Sequence, residues 1–336
     1  MLKKIFLFAL LFSTLSTGPL AKQTMPVMPA LVTVGFKMDD PRPLLVSESQ
    51  DGINWNTFSY PIPNARNANF RPVIWGNHEY LMIYHHETDA GTDKFSAAMV
   101  SNGLQKDGSI SWTAPTVFAQ NIDIWDVIWG NDQYIAVGNK GEICRATQAT
   151  GHWTCEASPA SSLRRVIWAN QQYLAVGNKI ITSPDGKNWI SQVNNLGNTT
   201  IAGIVWATNK YVAVGYDYNT QLSFSLTSLD GKTWTMHPIN IPNFDVAKVA
   251  WGNGQFVSVG STAICSSLDG ITWTTQMAGD HLGLSDVIWA NNQFIAVGFK
   301  TGIHSPTMTS PDGIHWTQQD SKTDYDLYSV AYNNEL

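Results

Sequence analysis

The sequence predicts an all-β fold: a seven-bladed β-propeller of four-stranded blades, with the ring closed by pairing of the N- and C-terminal strands. Three observations carry this prediction. A unit recurs through the body at a mean spacing of about 43 residues, the period of blade-type repeats. Within each unit, β-branched and aromatic runs alternate with turn signals at intervals too short for helices. The two ends of the chain carry complementary halves of one unit.

Strand one of the unit is a Val-Ile-Trp run, as at Val127–Trp129, with counterparts from Val166, Ile204, Val249 and Val287 and a diverged copy from Val73. A Gly/Ala-Asn-x turn follows, whose Asn and Gly residues tolerate positive φ, and the aromatic-Ile-Ala-Val-Gly run after it is the antiparallel strand two. Strand three leads into Ser-x-Asp-Gly, where Ser and Asp side chains can bond turn N–H groups and the Gly relieves the backbone. The Trp three residues later starts strand four; these tryptophans stand at 55, 112, 153, 189, 234, 273 and 316, giving seven units. Leu31–Gly35 matches a strand two with no strand one before it, and Ser329–Asn334 matches a strand one with no strand two after it. Joining them completes a blade and removes the open edges that a linear array would leave, which argues against a solenoid.

Residues 1–22 read as a secretory signal peptide: the basic pair Lys3-Lys4, an apolar run from Ile5 to Leu15, and small or turn residues up to Ala21. The propeller domain is expected over 28–336, exported to the periplasm or secreted, and monomeric. No later stretch is long and apolar enough for a membrane span. The formal charge of −6 becomes about −8 without Lys3 and Lys4, 18 cationic against 26 acidic side chains, and no Lys/Arg run exceeds Arg164-Arg165. Such a chain would be repelled by nucleic acid and by anionic membranes.

The Ser-x-Asp-Gly-x-x-Trp units resemble the Asp-box, or BNR, repeats of sialidases and of non-catalytic exported propellers such as photosystem assembly factors. The resemblance covers nearly the whole chain after the leader, although the spacing is one residue shorter than the usual Ser-x-Asp-x-Gly-x-x-Trp. It implies a hairpin turn on the outer part of each blade, away from the ligand site. Asp51, Asp185, Asp230, Asp269 and Asp312 are accordingly read as turn formers. A sialidase would also need three arginines converging on a substrate carboxylate. Six arginines are present, at 42, 66, 71, 145, 164 and 165. Adjacent Arg164 and Arg165 are expected to point to opposite faces of a strand, so the sequence does not assemble that cluster.

Other chemistry finds little support. His85-His86-Glu87-Thr88-Asp89, with Asp93 nearby, reads as a polar loop between strands two and three, lacking a metal-ligand spacing. No phosphate loop or Gly-x-Ser-x-Gly is present, and no cofactor or metal is expected. Cys265 falls where other units carry apolar residues. Cys144 and Cys155 fall on strands three and four of one unit, where both a cross-strand disulfide and free thiols fit the pattern.

Propellers bind ligands at the end where strand four joins the next strand one. Residues at the entry to strand one should ring that channel mouth: Arg71, Trp125, Asp126, Arg164, Arg165, Lys248, Asp286 and Tyr328. The mixture of charges with two aromatics suits a non-catalytic module binding a protein partner or a glycan. The alternative is a glycan-active hydrolase or lyase using Asp126, Asp286 and Glu87. Trp125 is the one tryptophan outside the repeat positions.

Overall fold

The computed structural model describes residues 28–36, 44–60, 68–87, 94–193, 196–241, 245–279, 282–300 and 305–335. The leader at 1–22, Arg42, Arg66, Thr88, Asp89 and Asp93 lie outside them. Seven antiparallel sheets follow one another in chain order, each running from an inner strand one to an outer strand four. The strands one are Asn69–Gly76, Ile124–Gly130, Leu163–Ala169, Thr199–Ala207, Val246–Gly252 and Leu284–Ala290 in blades 2 to 7, and Asp326–Tyr332 in blade 1. Each packs against the strands one of both neighbouring blades, so the ring is continuous. In blade 1, Asp326–Tyr332 pairs with the first of the described strands, Leu31–Phe36, from Leu31↔Tyr332 to Phe36↔Asp326.

The core lies between blades. Strand two is buried on both faces, which is why it reads as an unbroken apolar run and not as an alternating one. In blade 3, Tyr134 and Ala136 pack with Leu81 and Ile83 of blade 2, while Ile135 and Val137 pack with Tyr173 and Ala175 of blade 4. The hairpin between strands one and two takes positive φ at both central residues, as in Asn131-Asp132, Asn170-Gln171 and Asn291-Asn292, the requirement of a type I′ turn. The strand-one tryptophans are half-buried and lie against the aromatic that opens strand two, with Trp168–Tyr173 and Trp206–Tyr211 ring centroids 4.4 Å apart.

The Ser-x-Asp-Gly turns repeat one network. In blade 4, Ser183 Oγ accepts from the N–H of Gly186 at 2.9 Å, Asp185 Oδ1 accepts from Lys187 and Asn188, and Trp189 Nε1 donates to the Gly186 carbonyl. The same bonds recur around Asp51, Asp230 and Asp312, and Asp269 accepts from Ile271 and Thr272 in the same way. The tryptophans that close these turns precede strand four and do not start it; Trp55 and Trp153 are buried and Trp189, Trp234, Trp273 and Trp316 only partly so.

Contacts between blades are as regular as those within them. Gln133, Gln172, Gln255 and Gln293, each opening a strand two, donate Nε2 to the backbone carbonyl of the turn aspartate in the next blade. Lys210 reaches the Asp269 carbonyl from the same position. In the opposite direction, Tyr134, Tyr173 and Tyr211 donate their hydroxyls to the last carbonyl of the preceding blade's strand one, Gly76, Gly130 and Ala169.

Two expectations need correction. The stretch after Trp112 does not run plainly from strand four of blade 2 to strand one of blade 3: Thr116–Gln120 forms an extra strand paired with strand three of blade 2, whose outer position it shares with Ile110–Trp112. His85 and His86 are not in a loop: both lie in strand two of blade 2, Glu79–Glu87, and both are buried.

Candidate functional site

The entry to each strand one carries a break in pairing. Trp125, Arg164, Ala202, Ala247, Ser285 and Tyr328 are each bypassed in the register with strand two, and in blade 2 the interruption spans Arg71 and Pro72. Such a bulge sets two residues against one on the partner strand and re-aims side chains that strict alternation would send to opposite faces. Arg164 and Arg165 therefore line the same cavity, contrary to the alternation expected of them. Arg71 joins them there, so three guanidiniums do come together that the sequence alone does not assemble.

That cavity, about 440 Å³, sits at the channel mouth and is lined by all eight of Arg71, Trp125, Asp126, Arg164, Arg165, Lys248, Asp286 and Tyr328. Glu87 is not among them; it is partly exposed at the end of strand two of blade 2 and pairs with Lys94 at 2.6 Å. The walls divide into two halves of different chemistry.

One half is a braced charge cluster. Lys248 Nζ lies 2.7 Å from Asp286 Oδ1, and Asp286 Oδ2 accepts from Ser329 Oγ and the Val330 N–H in the next blade. Asp126 repeats the motif, its Oδ2 accepting the Val166 N–H of the next blade at 3.0 Å. Burial raises the Asp126 pKa above the usual carboxylate range, although Arg165 and Lys248 pull the other way.

The other half is an aromatic stack. The Trp125 indole is flanked by guanidiniums from the blades on either side, with Arg71 and Arg164 each 4.3 Å from its ring centroid. Arg71 is tied to Asp123 at 3.1 Å, and the Trp125 Nε1 donates to the same Asp123 oxygen at 3.0 Å. Arg164 Nε donates to Thr200 Oγ1, and Arg165 Nη1 to the Arg164 carbonyl. Among the described residues, neither Arg164 nor Arg165 has a carboxylate within 4.0 Å. Burial also holds the pKa values of Arg71 and Arg164 below the usual arginine range and raises that of Asp245 across the cavity. Tyr328 is covered as well, stacked on Phe36 at 5.3 Å and edge-on to Phe299 at 4.9 Å.

Sequence reasoning missed Asp123 and Asp245. Both stand one position before the strand-one frame, ahead of Ile124 and Val246, so extending the repeat alignment by one residue finds them. Cys144 and Cys155 pair directly in register between strands three and four of blade 3 and are joined by a disulfide, while Cys265 is a free, buried thiol. No group of three His, Cys, Asp or Glu side chains among the described residues is placed to hold a metal.

No family model matches the chain, and no curated protein matches it. Solved structures do. YCF48 from Cyanidioschyzon merolae superposes with a TM-score of 0.55 at 15% identity, over 80% of this chain and 90% of that one. The chain is a seven-bladed β-propeller. YCF48 bound to D1 peptide gives a TM-score of 0.57 at 15% identity, over 80% and 86% of the two chains. Streptogramin B lyase gives 0.58 at 10% identity, over 76% and 92%. Identities this low speak for the propeller architecture alone.

Proposed function

We propose that this chain is an exported, non-catalytic propeller that holds a protein partner at the channel mouth, through an acidic segment set against Arg71, Arg164 and Arg165. One observation carries the reading: two adjacent guanidiniums open onto a ligand-sized cavity with no carboxylate of the described residues within 4.0 Å of either. Guanidiniums occupy both flanks of Trp125, and Phe36 and Phe299 pack on Tyr328. A glycan would therefore have to displace a neighbour to stack on either ring, which favours a peptide over a sugar. The peptide in the D1-bound YCF48 structure is consistent with a protein partner. Export is supported by the leader pattern at 1–22 and by the Cys144–Cys155 disulfide, a bond that persists in oxidising compartments.

A glycan-active hydrolase or lyase is the second reading, favoured by Asp126, a cavity carboxyl that burial inclines to stay protonated. Fluorescence polarisation with labelled acidic and neutral peptides, run beside turnover assays on polysaccharides and chromogenic glycosides, separates the two. Binding of acidic peptides that weakens about tenfold or more in Arg164→Ala/Arg165→Ala supports the binding module, given what a charge-assisted hydrogen bond contributes. Turnover abolished by Asp126→Ala overturns it.

A further inference from the structure

Beneath the Arg71–Trp125–Arg164 stack lies a carboxylate with two unlike sides. Asp123 Oδ2 is saturated: it accepts from Arg71 Nη2, from Trp125 Nε1 and from Asn139 Nδ2 at 3.3 Å. Asp123 Oδ1 is buried and has no hydrogen-bond partner. Facing it at 4.0 Å is Nδ1 of His85, also buried and also unpartnered. Two polar atoms that could bond each other stand just out of reach, at a point where water is excluded and an unmade bond is expensive.

Protonation of the imidazole would change this. A neutral ring can place a lone pair at Nδ1, which a carboxylate oxygen repels, whereas the imidazolium has an N–H at both nitrogens. The groups around His85 set the balance. Asp123 from the segment before strand one of blade 3, and Glu87 from its own strand, favour the cation; Arg71 from strand one of blade 2 opposes it. Strands one and three of blade 2 place Asn69 and Ser96 beside it, and the Ile122 carbonyl favours the charged ring. Burial outweighs these and pulls the His85 pKa below its ordinary value, which favours the neutral ring.

We propose that His85 and Asp123 form a proton-operated latch under the channel-mouth site: when His85 gains a proton, its Nδ1–H closes onto Asp123 Oδ1, and the movement is passed to Arg71 and Trp125 through Asp123 Oδ2. This regulation rests on the proposed acidic-peptide site. The added cation lies near Arg71, on the side of the cavity where the anionic ligand would sit, so that ligand and the His85 proton favour each other, reciprocally and to the same extent.

The first test needs no ligand. Protein labelled with 5-fluorotryptophan is titrated from pH 8 to pH 4.5 by 19F NMR, with the Trp125 signal assigned from Trp125→Phe and the His85 ring followed by its own NMR titration. The Trp125 signal is expected to move with the midpoint of His85, and to stay fixed over that range in His85→Gln. A Trp125 signal that ignores the His85 titration, one that still moves in His85→Gln, or a His85 ring that never titrates would each overturn the latch. The second test uses a labelled oligoglutamate peptide, expected to bind about fivefold or more tightly at pH 5.5 than at pH 7.5, with His85→Gln losing most of that gain. Absence of peptide binding at every pH sinks the proposed function but leaves the NMR coupling standing. Binding with an unchanged pH dependence in His85→Gln sinks the latch alone.

Discussion

The Nε2 of Gln133 donates to the backbone carbonyl of Asp185 at 3.0 Å, and thereby ties the start of strand two in blade 3 to the Ser-x-Asp-Gly turn of blade 4. The same amide donates to the Tyr173 hydroxyl, which in turn bonds the Gly130 carbonyl back in blade 3. The turn that looks like a local hairpin device is thus a joint between blades. Gln133→Ala should destabilise the protein by about 1–2 kcal/mol, the net worth of its two partly buried hydrogen bonds. Urea unfolding followed by tryptophan fluorescence measures it, and an unchanged midpoint would show that the joint contributes nothing.

Tyr173→Phe tests the reverse direction of the same joint. It removes the hydroxyl while keeping the ring, and leaves the Gly130 carbonyl without that donor in a buried setting, so a loss of about 1–2 kcal/mol is expected. Phe256 and Phe294 occupy the equivalent position in blades 6 and 7 without a hydroxyl. Substituting Phe256→Leu should therefore lose packing only.

Glu48 lies in strand three of blade 1, only 5% exposed, with Oε1 accepting the Ile110 N–H of blade 2 at 2.9 Å. Burial pushes its pKa up to about 7, with Asp107 adding to the rise. The folded state then holds a proton that the unfolded state, near 4.3, has already released, so stability falls as pH rises between those values. Glu48→Gln keeps an acceptor for Ile110 and removes the ionisation. It should be close to neutral at pH 4.5 and stabilising by about 2 kcal/mol at pH 8, read from urea midpoints at the two pH values. A variant equally or less stable than wild type at pH 8 would show that Glu48 ionises there without penalty.

The Cys144–Cys155 disulfide makes a simple chemical prediction. Alkylation of the unfolded, unreduced protein should modify Cys265 alone, and reduction should raise the count to all three cysteines present, as read by intact mass. Replacing the pair by alanines should lower stability by about 2–3 kcal/mol, because the bond closes a short loop in the unfolded chain.

Much of the fold was legible because each blade states it again. Strand two is continuous where it is buried on both faces, and the Asn-containing hairpins and Ser-x-Asp-Gly turns mark the strand ends. Legibility failed where a unit departs from its own pattern. Thr116–Gln120 is an extra outer strand in one of the two blades whose turn departs from Ser-x-Asp-Gly, and His85-His86 reads as polar loop only until the neighbouring blade buries it. The channel-mouth residues could be picked from the repeat frame, but their joint orientation could not. Alternation sends Arg164 and Arg165 apart, and only the bulge, a backbone event with no residue signature of its own, brings them to one cavity.

The pairing of Leu31–Phe36 with Asp326–Tyr332 has a kinetic consequence. Blade 1 draws its inner strand from Asp326–Tyr332 and its other three from residues 31–60, so the ring cannot shut until Asp326–Tyr332 has been synthesised and has left the ribosome. Contacts of such long sequence separation form slowly, because loop closure must be met before they contribute anything. Until then the nascent chain presents unpaired strand edges at blade 1, open to pairing with other chains. The closure that makes the finished molecule durable is also the step that holds it unfinished for longest.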